Sequence, residues 1–412
     1  MRKRVVITGI GAISPIGNSA AELCDNAFDG VCGIGPMTLV DTTDRKVKVA
    51  AEVKDFDPLT VFTKMEARRT ARFSQFAVAA AVEAFEQCGI DMEQEDASRC
   101  GVSISSGIGG LKTIETEYEK GKRRGFDSIS PLFIPMIIAN MASGLTAIRL
   151  GFKGSANCIV TACASGTDAI GQAFRTLRDG YADVMAAGGT EASITDLGVG
   201  GFASMMAVSG SEDPHRASIP FDKERAGFVM GEGAGVVIME TYEHAKARGA
   251  KILGEIVGYG VGCDAHHMTA PLEDGSGAAK TMEDAIADAG IAPEDVKYIN
   301  AHGTGTPMND RCETAAVKST FGEHAKDLVI SSTKSMIGHT LGASGALEAI
   351  VTMEALSRQM APPTIGYKVP DPDCDLDVCP NEAKKIETEY AMSNSFGFGG
   401  HNGSLIFKRV SE

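Results

Sequence analysis

Hydrophobic positions form short apolar runs that alternate with longer segments in which apolar residues recur every three or four positions. The strand-like runs of the first half lie at 5–9, 101–106 and 182–189. The segments with the period of amphipathic helices lie at 64–88, 135–150 and 166–177. Alternation of this kind predicts an α/β fold.

The same rhythm begins again near Lys251. Strands are predicted at 252–261, 296–300 and 328–332, and helices at 276–290, 308–320 and 342–357. We therefore expect one domain, residues 1–412, with an N-terminal half (1–250) and a C-terminal half (251–412). Each half is expected to hold a mostly parallel or mixed sheet covered by helices. The two halves show no obvious sequence repeat.

The composition of the chain argues against several classes of protein. The chain has no uninterrupted apolar stretch of about 18 residues, so no membrane-spanning segment is expected. Its ten cysteines are scattered without a CxxC pair, which indicates reduced thiols and a cytoplasmic location. A formal net charge of −15 argues against nucleic-acid binding. An acidic partner must therefore meet a local basic patch. Two basic clusters lie in the first half: Lys64, Arg68 and Arg69, and then Lys120, Lys122, Arg123 and Arg124.

Cys163 is the first candidate for chemistry. It follows a β-type run, 159–161, and precedes a helical pattern, 166–177, with small residues around the turn. A cysteine at a helix N-terminus faces unpaired N–H groups and the positive end of the helix dipole, and both favour the thiolate. The alternative is a buried structural cysteine, which is the usual role of a free cysteine.

Three later segments strengthen the nucleophile interpretation. Each is rich in small residues and follows a predicted strand, where open α/β sheets place their sites. They are 300–307 with His302, 332–345 with Lys334 and His339, and 393–400 with Phe396 and Phe398. A cysteine and two histidines on glycine-rich turns indicate a catalytic set, although each histidine alone is more often structural.

These motifs carry a family resemblance that covers nearly the whole chain. Thr161-Ala-Cys163-Ala-Ser, His302-Gly-Thr-Gly-Thr-Pro, Lys334 ahead of Gly338-His339, and Asn394-Ser-Phe-Gly-Phe-Gly-Gly are highly specific. The chain resembles the β-ketoacyl-acyl-carrier-protein synthases, most closely those that elongate fatty acids in bacteria. The resemblance implies a thiolase-like, five-layered αβαβα fold with two similar halves and mixed sheets, usually as a homodimer.

The resemblance also implies a reaction. Cys163 would take an acyl group from a carrier-protein thioester. Malonyl-carrier protein would then lose carbon dioxide, and the resulting carbanion would extend the acyl chain by two carbons. Imidazole N–H groups of His302 and His339 would hold the enolate oxygen. No cofactor is required for these steps.

Further site residues follow from the same resemblance. Lys334 would orient its surroundings, and the N–H groups of Cys163 and Phe398 would form the oxyanion hole. Phe398 would also act as a gate that moves on acylation. The remaining roles are pantetheine binding by Thr304 and Thr306, an acyl pocket with Ile108 and Phe396, and carrier-protein docking on Lys64, Arg68, Arg69, Arg123 and Arg124.

A structural Na⁺ or K⁺ ion is a further implication. Its ligands would be oxygen atoms of Asn300, Glu348, Ser393 and Asn402, a donor set that suits such an ion. A plain hydrogen-bond network is the alternative. Two departures from the family pattern stand nearby: His401 replaces the usual threonine after the gate, and Met205-Met206 falls where relatives carry an arginine for docking.

Three other functions share part of this pattern. A type II polyketide ketosynthase shares the fold, and a companion chain-length-factor gene would favour it. A thiolase is disfavoured because it needs a second catalytic cysteine near the carboxyl terminus, whereas the last cysteine here, Cys379, lies in an acidic loop. A non-catalytic chain-length partner would be expected to lack the nucleophile, which this chain retains.

Overall fold

The computed structural model describes residues 2–410. Within them the main sheet has ten strands. In chain order they are β1 (Val5–Ile13), β2 (Cys100–Ser105), β3 (Ala156–Asn157), β4 (Val184–Glu191), β5 (Gly233–Thr241), β6 (Gly254–Cys263), β7 (Val296–Asn300), β8 (Val329–Ser331), β9 (Tyr390–Gly397) and β10 (His401–Lys408). Two small hairpins pair Gly35–Pro36 with Val49–Ala50 and Met360–Ala361 with Lys384–Lys385.

The strand order reveals two equivalent halves. Across the sheet it is β8-β7-β9-β10-β6-β1-β5-β4-β2-β3. From β1 toward β3, the first two strand pairs are antiparallel and the next two are parallel. From β6 toward β8, the strand pairs follow the same pattern. Three residue pairs between β1 and β6 join the half-sheets into one hydrogen-bonded sheet. The two sheets that the sequence predicts are therefore continuous with each other.

The longer helices surround and separate the half-sheets. They are α1 (Ala20–Phe28), α2 (Arg72–Cys88), α3 (Leu111–Arg124), α4 (Met141–Leu150), α5 (Ser165–Arg178), α6 (Asp196–Ser204), α7 (Ser276–Ala289), α8 (Pro307–Phe321) and α9 (Ser344–Arg358). Shorter helices are Lys64–Ala67, Phe133–Ile137, Pro214–Ala217, Tyr242–Ala247 and Lys334–Ile337. Helices α5 and α9 pack on each other and against strands of both halves, α2 covers the first half-sheet, and α7 with α8 covers the second. This arrangement gives the five layers expected from the resemblance.

Small residues allow α5 and α9 to meet at their N-termini. A Cβ atom added at Gly166 would lie 2.9 Å from the backbone nitrogen of Ala346, and one at Gly345 would lie 2.0 Å from Oγ1 of Thr167. Both helices are buried among apolar residues of the central core, so their axes are fixed by packing on two sides. Their N-termini bring the two preceding turns together, and the functional site lies there.

Those two turns form an internal repeat that the sequence analysis did not identify. Residues 162–166 (ACASG) and 341–345 (LGASG) each form a 3₁₀ turn followed by a helix that begins at serine. Ala162 and Leu341 have φ angles of 50° and 49°, the same left-handed conformation. Only three residues are shared, so the duplication is visible in the structure and not in the sequence.

Three predicted elements differ from the structure. The helix predicted at 64–88 is broken at 68–71, and α2 begins at Arg72, whose guanidinium pairs with buried Glu232 at 2.7 Å. The helix predicted at 135–150 is divided into Phe133–Ile137 and α4. The run 159–161 is not a strand, because its backbone N–H groups donate to the hydroxyls of Ser105 and Ser165 instead of to a neighbouring strand.

Candidate active site

Loops that follow strands of both halves enclose a cavity of about 390 Å³. Its walls contain eight residues that the sequence analysis assigned to the site: Cys163, His302, Thr304, Thr306, His339, Phe396, Phe398 and Asn402. Apolar side chains of Phe202, Phe228 and Leu341 complete the wall near the cysteine. The motifs that are distant along the chain therefore converge on one site.

Cys163 occupies the 3₁₀ turn Ala162–Ala164, directly before α5. Ala162 has its φ of 50° in the left-handed region, which residues with a side chain rarely adopt. Packing of α5 against α9 holds this strained turn in place. The turn sets the thiol at the cavity wall and at a helix N-terminus, as the sequence predicts.

Burial and neighbouring charges act in opposite directions on the thiol of Cys163. The residue is only 8% exposed, and burial raises the pKa of its thiol to about 12. The charge of Lys334 and an N–H donated by Phe398 lower this pKa, whereas the charges of Glu191 and Glu348 raise it. Burial therefore opposes the thiolate that the helix N-terminus favours.

His302 and His339 form a pair beside the cysteine. Their ring centroids are 5.3 Å apart, and the ring planes are inclined by 83°. Burial, followed by the positive charge of Lys334, lowers the pKa of both imidazoles well below the usual value. Both rings are therefore neutral near pH 7, and each carries a single N–H donor.

Hydrogen-bond partners indicate which nitrogen carries that proton. Nζ of Lys334 lies 3.4 Å from Nδ1 of His302. An ammonium group donates and does not accept, so Nδ1 accepts and the proton is on Nε2. Nδ1 of His339 lies 2.9 Å from the hydroxyl of Ser344, which can donate to it in the same way. In this tautomer each ring has Nε2–H free to donate to a ligand in the cavity.

Lys334 is fully buried and forms an ion pair with Oε1 of Glu348, which is also fully buried. Burial raises the pKa of Glu348, and the charge of Lys334 opposes that rise. The ion pair holds the ammonium group against Nδ1 of His302. Lys334 is thus placed to select the His302 tautomer and to disfavour the charged form of both imidazoles.

Glu313 is a site residue that the sequence analysis missed. Its two carboxylate oxygens accept the backbone N–H groups of His302 and Gly303, each at 2.8 Å. Burial raises its pKa to about 7, and the two N–H groups limit the rise. The side chain fixes the turn that carries His302. A glutamate within the predicted helix 308–320 was the available signal, but its burial is visible only in the structure.

The gate loop, residues 397–400, lies against the cysteine turn. A Cβ atom added at Gly397 would lie 2.6 Å from the carbonyl oxygen of Thr161, so glycine permits this close approach. The approach brings the N–H of Phe398 to the sulfur of Cys163. The Phe398 ring packs 6.4 Å from that of Phe202. The predicted oxyanion donors, the N–H groups of Cys163 and Phe398, therefore lie at the same wall of the cavity.

The remaining pocket residues fall into two groups. The hydroxyls of Thr304 and Thr306 are 3.0 Å apart on the cavity wall, and the ring of Phe396 packs 5.6 Å from that of His302. Ile108 lies elsewhere. It is 38% exposed on the loop after β2, and it is absent from the cavity lining within residues 2–410.

Three of the four proposed cation ligands carry buried polar atoms without a partner. These are both amide atoms of Asn300, Oε2 of Glu348 and the hydroxyl of Ser393. Asn300 and Ser393 face each other in register on β7 and β9, and α9, which carries Glu348, packs on β9. Unpaired buried oxygens of this kind fit a monovalent cation or a water molecule.

Asn402 does not join that group. Its amide donates to Asp264 at 2.6 Å, and its register partner is Phe396, three residues from Ser393 along β9. Three residues of strand span about 10 Å. The structure therefore places Asn402 at the cavity wall, apart from the other three.

The predicted docking residues Lys64, Arg68, Arg69, Arg123 and Arg124 are all exposed. The two departures from the family pattern are close to the site. Met205 and Met206 line the cavity, with Met206 87% exposed, and the ring of His401 packs on Gly399 of the gate loop. Within residues 2–410, no helix has both the length and the apolar character that crossing a membrane requires.

A cysteine that faces two neutral imidazole donors suits an enzyme that carries an acyl group on sulfur and joins it to a carbanion. Comparison with known proteins identifies this class of condensing enzyme. The chain belongs to the β-ketoacyl synthase family: the model of its N-terminal domain matches residues 2–245, and the model of its C-terminal domain matches residues 253–368.

Individual relatives support the same family assignment. The chain is 51% identical over 409 residues to 3-oxoacyl-[acyl-carrier-protein] synthase 2 of Synechocystis sp., which covers 99% of this chain and 98% of the relative. Identity to the protein of the same name from Staphylococcus aureus strain COL is 50% over 407 residues, with coverage of 99% and 98%. A solved complex of a type II polyketide synthase acyl-carrier protein with its ketosynthase, bound to the hexaketide, superposes with a TM-score of 0.92 at 34% identity, covering 100% of both chains.

These matches confirm the predicted fold class and the prediction of a condensing acyltransferase that elongates acyl chains. They match the chain over nearly its whole length.

Proposed function

We propose that this protein elongates fatty acids by condensing malonyl-acyl-carrier protein with an acyl group held on Cys163. The observation that supports this most is the meeting of Cys163, His302 and His339 in one cavity, with both imidazoles neutral. The 51% identity to 3-oxoacyl-[acyl-carrier-protein] synthase 2 supports the choice of a fatty-acid substrate.

In the first half-reaction, Sγ of Cys163 attacks the carbonyl carbon of the acyl thioester. The carbonyl oxygen becomes an oxyanion, which the N–H groups of Cys163 and Phe398 can receive. The bond to the pantetheine sulfur then breaks. The proton lost by the cysteine ends on that departing sulfur, so the exchange needs no net acid or base.

In the second half-reaction, the malonyl group loses carbon dioxide as its C–C bond breaks. The two Nε2–H donors of His302 and His339 stabilise the enolate oxygen that forms. The carbanion attacks the acyl carbonyl on Cys163, the C–S bond breaks, and the thiolate takes up a proton. The high pKa of the thiol favours this last step. Thr304 and Thr306 are placed to hold the pantetheine arm.

A type II polyketide ketosynthase is the second candidate, because the solved ketosynthase complex superposes on the whole chain. The two functions differ in their products. A fatty-acid enzyme should give one extension of a saturated acyl chain by two carbons, whereas a polyketide enzyme should repeat extension without reduction. Mass spectrometry of products from graded acyl-carrier proteins and malonyl-carrier protein separates them.

Carrier-protein docking is proposed on the five exposed basic residues Lys64, Arg68, Arg69, Arg123 and Arg124, since they belong to two compact basic clusters on an acidic chain. An exposed ion pair contributes about 0–1 kcal/mol, so single substitutions should have little effect. Arg68→Glu/Arg69→Glu and Arg123→Glu/Arg124→Glu should each raise KM for carrier-bound substrate several-fold and weaken its salt dependence.

Steady-state kinetics on two substrates tests the docking proposal. Activity toward a small pantetheine thioester should be unchanged in both double variants. Lys251→Glu/Lys297→Glu, which reverses exposed charges elsewhere, serves as the control. Equal losses on both substrates would indicate a damaged fold, and no loss on either would place docking elsewhere.

We also propose a homodimer built on the β3 edge of the sheet. Strand β3 pairs only with β2 among residues 2–410, and the segments between β2 and α4 and directly after β3 carry exposed apolar side chains. They are Ile108, Tyr118, Phe126, Ile134, Ile138 and Val160. A second copy that covers this face would also bury Ile108, which explains its exposure in the single chain.

Light scattering after size exclusion tests the dimer. The chain should elute with the mass of two copies, and Phe126→Glu/Ile134→Glu should elute as one. Tyr181→Glu, a change at an exposed aromatic residue on a loop between α5 and β4, should leave the mass unchanged. A dimer that survives the double change would place the interface on another face.

A structural Na⁺ or K⁺ ion is proposed at Asn300, Glu348 and Ser393 on the strength of their unpaired atoms. The ion would tie α9 to β7 and β9 beneath Lys334. Melting temperatures should rise by a few degrees when Na⁺ or K⁺ replaces a bulky organic cation at equal ionic strength. Identical melting temperatures in all salts would favour water at the site.

We also propose that the protein is located in the cytoplasm. All ten cysteines lie within the described residues, and all are unpaired. Free thiols are typical of a reducing compartment.

A further inference from the structure

Glu191 is a buried carboxylate that the reaction described above does not use. It ends β4 and is fully buried. Oε2 accepts the backbone N–H groups of Gly107 at 2.9 Å and Gly342 at 3.2 Å. Oε1 accepts the hydroxyls of Ser106 at 2.8 Å and Ser193 at 3.2 Å. One side chain therefore connects three separate loops.

Two of these loops bracket the turn of Cys163. A Cβ atom added at Gly107 would lie 3.3 Å from the carbonyl oxygen of Ala162, the residue before the nucleophile. A Cβ atom added at Gly166, the second residue of α5, would lie 2.9 Å from the carbonyl oxygen of Gly342. Gly342 is also the counterpart of Cys163 in the internal repeat. The carboxylate thus fixes both sides of the nucleophile turn.

The negative charge of Glu191 also acts on Cys163. Burial raises its pKa, but four donors and no acceptor face the carboxyl group, and this environment suits the ionised form. The ionised groups near Cys163 are Lys334, which stabilises a thiolate, and Glu191 and Glu348, which disfavour it. His302 and His339 face the same cavity and are neutral. Glu348 forms an ion pair with Lys334, whereas no Lys, Arg or His side chain within residues 2–410 forms an ion pair with Glu191.

We propose that Glu191 is a positioning residue that holds the loops around Cys163 and, through its charge, keeps the resting nucleophile in the thiol form. This inference rests on the proposed role of Cys163. It has a consequence for the reaction: when the C–S bond breaks after condensation, the negative charge favours reprotonation of the sulfur. A protonated sulfur cannot attack the new β-keto product and reverse the step.

Glu191→Gln separates the charge from the contacts. Glutamine has nearly the same shape, its oxygen can accept Gly107 and Gly342, and its NH₂ group can donate to the two serine hydroxyls. The pH profile of alkylation at Cys163, mapped by mass spectrometry without substrate, should shift to lower pH by about one unit. At neutral pH this shift corresponds to a rate about tenfold higher. Glu240→Gln, at another fully buried glutamate on β5, should leave the profile unchanged.

The positioning role has its own measurement. Glu191→Ala leaves the two glycine N–H groups unpaired and should lower kcat for condensation at least tenfold with a smaller change in KM. Glu191→Gln should retain kcat within a few-fold. If the glutamine variant loses as much kcat as the alanine variant while staying folded, the loop-holding role is wrong.

Two results would overturn the charge role. One is a folded Glu191→Gln protein whose alkylation profile matches that of the wild type. The other needs no variant: a wild-type midpoint at or below about 8.5, the ordinary value for cysteine, would show that the resting thiol is not disfavoured as a thiolate. Because neither measurement uses a condensation substrate, failure of this inference can be told apart from failure of the proposed function.

Discussion

Cys163→Ala should abolish condensation while malonyl decarboxylation continues. Without the sulfur, no acyl-enzyme forms, so the carbanion has no acceptor. The two imidazole donors of His302 and His339 remain, since their tautomers depend on Lys334 and Ser344 and not on the cysteine. We expect condensation to fall below detection and carbon dioxide release from malonyl-carrier protein to persist.

Radiolabelled malonyl-carrier protein measures both outcomes in one assay, as released carbon dioxide and as β-ketoacyl product. Cys88→Ala is the matched control, because that cysteine is also buried but lies outside the cavity. It should retain condensation. Residual condensation in Cys163→Ala would mean that another group carries the acyl chain.

His302→Ala and His339→Ala should each slow decarboxylation by about 10²–10³-fold. This is the effect of removing one preorganised donor from a developing oxyanion. Glutamine at either position can place an N–H donor near the former Nε2 and should recover part of the rate. The measurement is carbon dioxide release in the Cys163→Ala background, where condensation cannot interfere.

His244→Ala is the control for this pair, since His244 lies outside the cavity and is bound by Glu95 and Glu240. Its decarboxylation rate should be close to that of the parent. If both cavity variants decarboxylate at the parent rate, the enolate oxygen is held by other donors and the assignment fails.

The sequence predicted those elements that depend on local pattern. The run at 296–300 forms β7 at the same residues, because its apolar side chains lie in the core of the second half. The small residues around Cys163 predicted the turn into α5. The helix predicted at 64–88 is broken at 68–71, and the residue that begins α2, Arg72, pairs with Glu232, 160 positions away, a contact that the local pattern does not show.

Site residues that belong to a recognisable sequence motif could be predicted. Site residues whose role depends on burial and on contacts with distant backbone groups could not. Cys163, His302, His339, Thr304 and Thr306 were identified on glycine-rich turns, and they line one cavity. Glu191 and Glu313 were missed, since the sequence around an acidic residue does not show which backbone N–H groups its carboxylate accepts.

Burial also acts on the thiol in a way that the sequence does not show. The sequence places Cys163 at a helix N-terminus, and this feature favours the thiolate. Only the packed structure shows that the residue is 8% exposed, with Glu191 close enough to oppose the charge. Protonation is a property of the assembled site, so the pattern of one segment could not predict it.

The central claim is that Cys163 carries the acyl chain between the two half-reactions. Peptide mapping by mass spectrometry after incubation with acyl-carrier protein tests it most directly. The peptide that contains Cys163 should gain the mass of the acyl group, and it should lose that mass when malonyl-carrier protein is added, as a β-ketoacyl-carrier protein two carbons longer appears. An acyl group on any other residue, or product formed while the Cys163 peptide stays unmodified throughout, would contradict the account.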